Sequence, residues 1–229
     1  MNIFLYNQAK SIRIHSNGFS LFKKERGNKI VKQEYPNVIF GTLPDYAADF
    51  LKLSPGESID IIANLSPPVL IPTDFFEEDS IEKYLRMQFP ISKQDHFFHD
   101  VIEDYHAVYY LTDEVVNNLR RLKTPYKVIH QSTLLHGKLV SSADREKDTI
   151  ILTINDSNFD IILLKNKKIQ LINTFRHSSY HDILYYLLNT LKQFDIKLSD
   201  IGVQLIQNDH KGMLALLKEY FPNTKSISY

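Results

Sequence analysis

The chain has 229 residues and no cysteine, and its 27 Lys and Arg are balanced by 27 Asp and Glu. This length suits one large or two small domains with a sizeable core. The lack of cysteine excludes disulfides, thiolate metal sites and cysteine nucleophiles, and the balanced charge gives no net attraction to nucleic acid or to an anionic membrane. We expect a cytoplasmic protein, because the sequence shows neither a signal-peptide pattern nor an apolar run of ~20 residues.

The first patterned segment predicts a three-stranded meander. Apolar and polar residues alternate on both sides of Asn17-Gly18, which is a strong signal for a tight hairpin, and a third strand follows Gly27-Asn28. Thr42 and Asp45 have the three-residue spacing of a capping box, so they predict the start of a helix. The apolar run 59–63 predicts the next strand.

A separate αβ unit is predicted over about residues 68–125. The pattern alternates strand, helix, strand, strand, helix and strand, which is the order of a ferredoxin-like unit. A helix beginning near Ser132 then leads into the polar segment 141–148. We place a domain boundary in that segment, which divides the chain into 1–143 and 144–229.

The second half repeats the pattern of the first. Three strands are predicted over 149–155, 159–165 and 168–175, with a helix capped by Ser179 and Asp182 after them. A strand over 201–206, an amphipathic helix that begins near Met213 and a short strand over 226–229 complete this half. Segments 11–33 and 149–175 share one order of elements, which predicts two related halves, each with the order of an RNase H-like domain.

Two such halves, the first with an inserted αβ unit, resemble the actin-like ATPase fold, as in the pilus-assembly protein PilM and the secretion protein GspL. The runs Val-Leu-Ile-Pro-Thr-Asp-Phe-Phe (69–76) and Glu-Lys-Tyr-Leu-Arg-Met-Gln-Phe (82–89) are similar to a bacterial family, domain of unknown function 3822. The resemblance covers nearly the whole chain. It implies an α/β fold of duplicated RNase H-like (actin-like ATPase) halves, with mixed sheets, helices and a ferredoxin-like insertion in the first half.

The resemblance also shows where a nucleotide would bind. Actin-like ATPases hold phosphates in the hairpins that open each half, where glycine lets backbone N–H groups approach and an Asp organises the metal. The matching turn of the first half, His15 to Gly18, has one glycine and no carboxylate. The matching turn of the second half, Asn155 to Asn158, has a carboxylate and no glycine.

A third phosphate element of the fold, a Gly-Gly turn after the fourth strand of the second half, is replaced by Gln207-Asn208-Asp209-His210. Side chains here obstruct the backbone approach that glycine allows. Asp156 is therefore interpreted as a turn residue and Asp209 as a helix N-cap. We expect no catalytic residue, cofactor or metal, and the candidate cleft residues are Ser16, Asn17, Asn155, Asp156, Asn208 and Asp209.

Two other site chemistries are weaker. A two-metal nuclease needs acids in its first strand, and neither half has one there; Asp156, Asp182 and Asp209 already have capping or turn roles. The polar run 95–106 contains three histidines, but His96 and His99 point to opposite faces of a strand, so we interpret it as a solvated hairpin.

The sequence therefore predicts a non-catalytic scaffold or binding module that has lost its nucleotide-phosphate loops. Its partner would be an unidentified protein or peptide, with the αβ unit or its groove as the contact surface. The alternative is an ATP-binding protein or weak ATPase, which would hold ATP and Mg²⁺ in an altered pocket between the two halves.

Overall fold

The structure is a computed structural model that describes residues 4–5, 8–54, 56–140, 148–207 and 211–228. The chain forms two compact units, one extending to Leu135 and one beginning at His136. The domain boundary predicted between 143 and 144 lies outside the described residues.

The first unit is a five-stranded mixed sheet with helices and an inserted smaller sheet. Its elements in chain order are β1 (Lys10–His15), β2 (Gly18–Lys24), β3 (Ile30–Pro36), α1 (Leu43–Leu51), β4 (Ile59–Asn64), β5 (Val69–Pro72), α2 (Ile81–Arg86), β6 (His96–Ile102), β7 (Tyr105–Leu111), α3 (Asp113–Arg120) and β8 (Tyr126–His130). Helix α4 (Gln131–Leu139) follows and continues into the second unit.

The main sheet has the strand order β3-β2-β1-β4-β8. The first three strands form the predicted antiparallel meander, and β4 and β8 add parallel strands. Alternate residues of β1, such as Ile12 and Ile14, face a core that also contains Ala47 of α1 and Leu119 of α3. The strand period of two therefore buries one face of the meander beneath these helices.

The inserted unit has its own sheet of three strands, ordered β5-β7-β6. Helix α2 covers this sheet through Ile81 and Leu85, which pack with Val69 and Val108. The last strand of the predicted ferredoxin-like order, β8, pairs in parallel with β4 of the main sheet instead. Helix α3 packs in the main core and brings the chain back to that sheet, which sequence order alone does not reveal.

The second unit contains another five-stranded mixed sheet. Its elements are β9 (Asp148–Ile154), β10 (Asn158–Lys165), β11 (Lys168–Arg176), α5 (Tyr180–Gln193), β12 (Ile201–Gln207), α6 (Lys211–Tyr220) and β13 (Thr224–Ser228). Its core joins alternate residues of β9 and β10 to the apolar faces of α5 and α6.

The two units have the same topology. The order β11-β10-β9-β12-β13 repeats that of the first sheet, again as an antiparallel meander followed by two parallel strands. Helices α5 and α6 occupy the chain positions of α1 and α3. The predicted duplication of RNase H-like halves is confirmed, and the insertion lies between β4 and α3, where the second unit has the segment between β12 and α6.

The two predicted capping boxes have different outcomes. Ser179 and Asp182 form a capping box at the start of α5. The box predicted at Thr42 is wrong, because the backbone of Thr42 is helical and its side chain makes no cap hydrogen bond. The Thr42 hydroxyl donates instead to the carbonyl oxygen of Ile39, at 2.8 Å.

Candidate functional site

The turn that opens the first half, with Ser16 and Asn17 at its tip, is closed by the protein's own backbone. Gly18 has a φ of +131°, and a Cβ at this position would lie 2.1 Å from the carbonyl oxygen of Tyr35 on the adjacent β3. The glycine is therefore required by strand packing. The N–H of Asn37 also donates to the carbonyl oxygen of Asn17, at 2.6 Å.

His15, at the end of β1 beside this turn, lies near two cationic side chains. Burial, followed by the nearby charges of Arg13 and Lys32, lowers the pKa of His15 to about 3, so the ring is neutral. Among the residues that the structure describes, none hydrogen-bonds to its buried Nδ1. The sequence singled out this turn but gave no indication that His15 is buried.

The two cations near His15 are engaged by other parts of the first unit. Arg13 is buried, donates from Nε to Gln131, and has its guanidinium 5.0 Å from the centre of the Phe4 ring. Lys32 forms an ion pair with Glu34. The positive charge beside the turn is thus already balanced or packed within the protein.

The turn that opens the second half is closed by side chains. The N–H of Asn155 donates to the carbonyl oxygen of Asn158 at 2.8 Å, and its Nδ2 donates to Oδ1 of the same residue at 2.8 Å. His177 lies against the turn. Its backbone N–H donates to the carbonyl oxygen of Ser157, and its ring Nε2 lies 2.9 Å from the carbonyl oxygen of Asn155. Asp156 lies within the same turn.

Asp182, in the first turn of α5, is occupied by helix capping. Oδ2 of Asp182 accepts from the N–H groups of Ser178 and Ser179, at 2.8 and 2.9 Å. These backbone hydrogen bonds lower the pKa of Asp182. Its N–H in turn donates to Oγ of Ser179, at 3.3 Å. Asp182 therefore stabilises the helix N-terminus, as the sequence predicted.

The third predicted element is only partly covered by the structure. Strand β12 ends at Gln207 and helix α6 begins at Lys211. Asn208 and Asp209, with His210, lie outside the described residues, so the N-cap role of Asp209 stays a prediction.

A buried polar network in the first unit was missed by the sequence reasoning. The hydroxyl of Tyr109 donates to Oδ1 of Asp100 at 3.2 Å, and the N–H of His130 donates to Oδ2 at 2.7 Å. Burial raises the pKa of Asp100, despite these hydrogen bonds. The predicted hairpin is present as β6 and β7, but it is not uniformly solvated. Asp100 is partly buried, and it accepts hydrogen bonds from Tyr109 on the paired strand β7 and from His130 at the end of β8.

The His130 side chain has the hydrogen bonds of a structural histidine. Its Nε2 lies 2.9 Å from the carbonyl oxygen of Ser66 and therefore carries the proton. Its Nδ1 accepts from Ser132, whose Oγ is 2.5 Å away. Burial lowers the pKa of His130 to about 4. Asp100 binds the main chain of His130 and not its ring, so the three residues do not have the arrangement of a catalytic triad.

The described residues contain neither a metal-binding cluster nor a helix that could span a membrane. Within the described ranges, no group of three or more His, Cys, Asp and Glu side chains is placed to hold a metal ion. The Nδ1 atoms of His99 and His106 are 3.1 Å apart, which is a hydrogen-bond distance between the two rings. In the same part of the chain, none of the helices has the length and apolar character that crossing a membrane requires.

The architecture is shared with solved actin-like structures. A protein with an actin-like ATPase fold and unknown function from Bacteroides thetaiotaomicron superposes with a TM-score of 0.77, over 99% of this chain and 94% of that one, at 16% identity. PilM, in the PilM–PilN type IV pilus biogenesis complex, gives 0.67 over 96% and 88%, at 13% identity. The ethanolamine utilization protein EutJ from Carboxydothermus hydrogenoformans gives 0.53 over 99% and 86%, at 7% identity.

These likenesses establish the fold class, which is that of the actin-like ATPases. The chain belongs to the family described as protein of unknown function DUF3822, which it matches over residues 46–224. Comparison with curated proteins gave no match.

Proposed function

We propose that this chain is a non-catalytic scaffold or protein-binding module built on an actin-like ATPase fold. The observation that carries the proposal is the closure of the two opening turns by the protein's own groups. In the first turn, any side chain at Gly18 would clash with the carbonyl oxygen of Tyr35. The second turn is held by hydrogen bonds of Asn155, Asn158 and His177.

Phosphate binding at such turns needs backbone N–H groups that point outward and are free to donate. Asn37 and His177 donate to carbonyl oxygens of the turns, and the Asn155 N–H is used within its own turn. The imidazole of His177 also occupies space beside the second turn. A triphosphate would have to displace these contacts and would gain no glycine-lined approach in return.

The proposed partner is a cytoplasmic protein or peptide, and the contact region is the insertion between β4 and α3. This unit has its own sheet and core, so it can present a rigid surface. The similar protein PilM has been solved as a complex with PilN. That likeness in fold supports a binding role for this chain and leaves the chemistry of the partner to be argued from the surface.

Thermal melting with and without Mg-ATP tests the proposal. A ligand at 100 times its dissociation constant adds ~2.7 kcal/mol of stability, which raises the melting temperature measurably. We expect the same melting temperature with Mg²⁺ alone and with Mg-ATP. A clear upward shift that needs both ATP and Mg²⁺ would favour the alternative, an ATP-binding protein with an altered pocket.

A further inference from the structure

The insertion carries a strong local negative charge. Between Val69 and Leu111 there are nine Asp and Glu against three Lys and Arg, whereas the whole chain is balanced at 27 of each. Three of these acids, Asp74, Glu78 and Asp79, are exposed and lie on two short 3-10 turns just before α2. A charged ligand would therefore meet an acidic surface here.

Three large apolar side chains are exposed on the same unit. Phe75 is 74% exposed, Met87 is 83% exposed and Val101 is 65% exposed. Single exposed apolar residues are common on protein surfaces, and a connected group is the feature that marks an interaction site.

Phe75 and Met87 are connected through Tyr84 of α2. The Tyr84 hydroxyl donates to the carbonyl oxygen of Phe75 at 2.8 Å and accepts from the N–H of Glu77 at 3.1 Å. Met87 lies three residues beyond Tyr84, so the two side chains leave the same side of the α2 end. The 3-10 turn that carries Phe75 is thereby attached to the helix.

Val101 is connected to the same group through the sheet. It pairs with His106 across β6 and β7, so both side chains lie on one face. The His106 ring stacks on Phe76 at 3.6 Å between centroids and 5° between planes. The Thr73 N–H also donates to the carbonyl oxygen of Asp104, at 2.9 Å, which joins the turn to the β6–β7 hairpin.

We propose that this surface, formed by Phe75, Met87 and Val101 with the acidic residues around them, binds a basic segment of a partner protein. Lys or Arg of the segment pair with the acidic side chains, while an apolar side chain of the segment rests on Phe75. Aromatic residues and Met are enriched at the centres of such interfaces, and charged residues surround them. The inference rests on the proposed function, since it names the partner class and the surface of that binding module.

The acidic charge of this surface disfavours three other binding partners: a second copy of the chain, nucleic acid and an anionic membrane. A second copy of this chain in a two-fold contact would place the acidic surface against itself. Nucleic acid and anionic membranes would be repelled by the same charge. A basic protein segment is the occupant that complements both the acidic and the apolar parts of the surface.

Fluorescence anisotropy with the full chain tests the inference. The probes are three labelled 12-residue peptides: Lys and Arg alternating with Leu and Phe, the same peptide with Ser in place of the apolar residues, and the same peptide with Glu in place of the basic ones. We expect binding of the first peptide only. A rise in NaCl from about 0.05 to 0.3 M should weaken it, because the Debye length shortens.

Variants with exposed side chains assign the surface without disturbing folding. Phe75→Ala should raise the dissociation constant of the basic apolar peptide by about tenfold or more. Tyr185→Ala is the matched control, because this side chain is 64% exposed on α5 of the second unit, and it should leave binding unchanged. Glu78→Gln should also weaken binding and increase its tolerance of salt, with the exposed Glu219→Gln as its control.

Each contrary outcome has a definite meaning. Equal binding by Phe75→Ala and wild type, a preference for the acidic peptide, or no binding of any peptide would overturn the proposed surface. Self-association of the wild type in sedimentation velocity, abolished by Phe75→Ala, would assign the surface to a second copy and also overturn it. A failure of the proposed function would appear instead as a higher melting temperature with Mg-ATP. That measurement is independent of peptide binding, so the two failures are distinguishable.

Discussion

His130 is held as a neutral side chain inside the first unit, and acid should therefore unfold the protein partly through this residue. Burial lowers its pKa from 6.5 to about 4 in the folded state. Below pH 6.5 the unfolded imidazole binds a proton, while the folded one does not until the pH approaches 4. His130 therefore does not lower the free energy of unfolding above pH 6.5. The free energy of unfolding falls as the pH decreases from 6.5 to about 4.

The size of the effect follows from the two pKa values. At pH 5 the difference in proton binding lowers the free energy of unfolding by about 2 kcal/mol relative to pH 7, and at pH 4 by about 3 kcal/mol. Either figure is a substantial part of the stability of an ordinary domain. The loss is large because the ring is buried, and its hydrogen bond to the carbonyl oxygen of Ser66 offsets only part of that effect.

The variant His130→Gln isolates this contribution, because it removes the titrating group and retains an amide that can donate to Ser66. Urea unfolding at pH 7 and pH 5 should be followed by far-ultraviolet circular dichroism, since the chain has no tryptophan. The variant will be less stable at pH 7, but the gap to wild type should narrow by about 2 kcal/mol at pH 5. Parallel stability curves for the two proteins would refute the assignment of His130 as a buried neutral side chain.

Two further predictions concern backbone geometry. Gly18→Ala should lower the free energy of unfolding by about 2 kcal/mol or more, since its Cβ would meet the Tyr35 carbonyl oxygen, whereas Gly27→Ala, with a φ of +76° and open space, should cost about 1 kcal/mol. Equal losses in urea unfolding would contradict the close approach at Gly18. Ser179→Ala should cost about 1 kcal/mol by removing a cap, and Thr42→Ala, which makes no cap, should stay within about 0.5 kcal/mol. The reverse ranking would show that the wrong helix was assigned the capping box.

Much of the fold could be predicted because its signals are local. The turn at Asn17-Gly18, the alternation in both meanders and the Ser179–Asp182 spacing each depend on a few neighbouring residues. The sheet that β8 joins depends instead on a parallel pairing with Ile59 and its neighbours, far away in sequence. Local patterns do not contain such pairings, so the ferredoxin-like order could not be completed correctly.

The candidate site shows the same division between local and distant contacts. The composition of the turns at Ser16 and Asn155 was readable directly, but their closure depends on Tyr35, Asn37 and His177 from the ends of neighbouring strands. The partial burial of Asp100 was hidden because the run around it is polar and its partners, Tyr109 and His130, lie on β7 and β8. The exposure of Phe75 was also not evident, because the sequence does not show which of the two adjacent residues Phe75 and Phe76 packs in the core of the insertion.

The proposed function requires that the two opening turns do not bind a nucleotide. Calorimetric titration of Mg-ATP into the full chain measures such binding. We predict no saturable heat up to about 1 mM ATP, the concentration range of weak, millimolar binding. A one-site isotherm with a micromolar dissociation constant, weakened by Asn155→Ala, would contradict the account and identify the second turn as a working phosphate site.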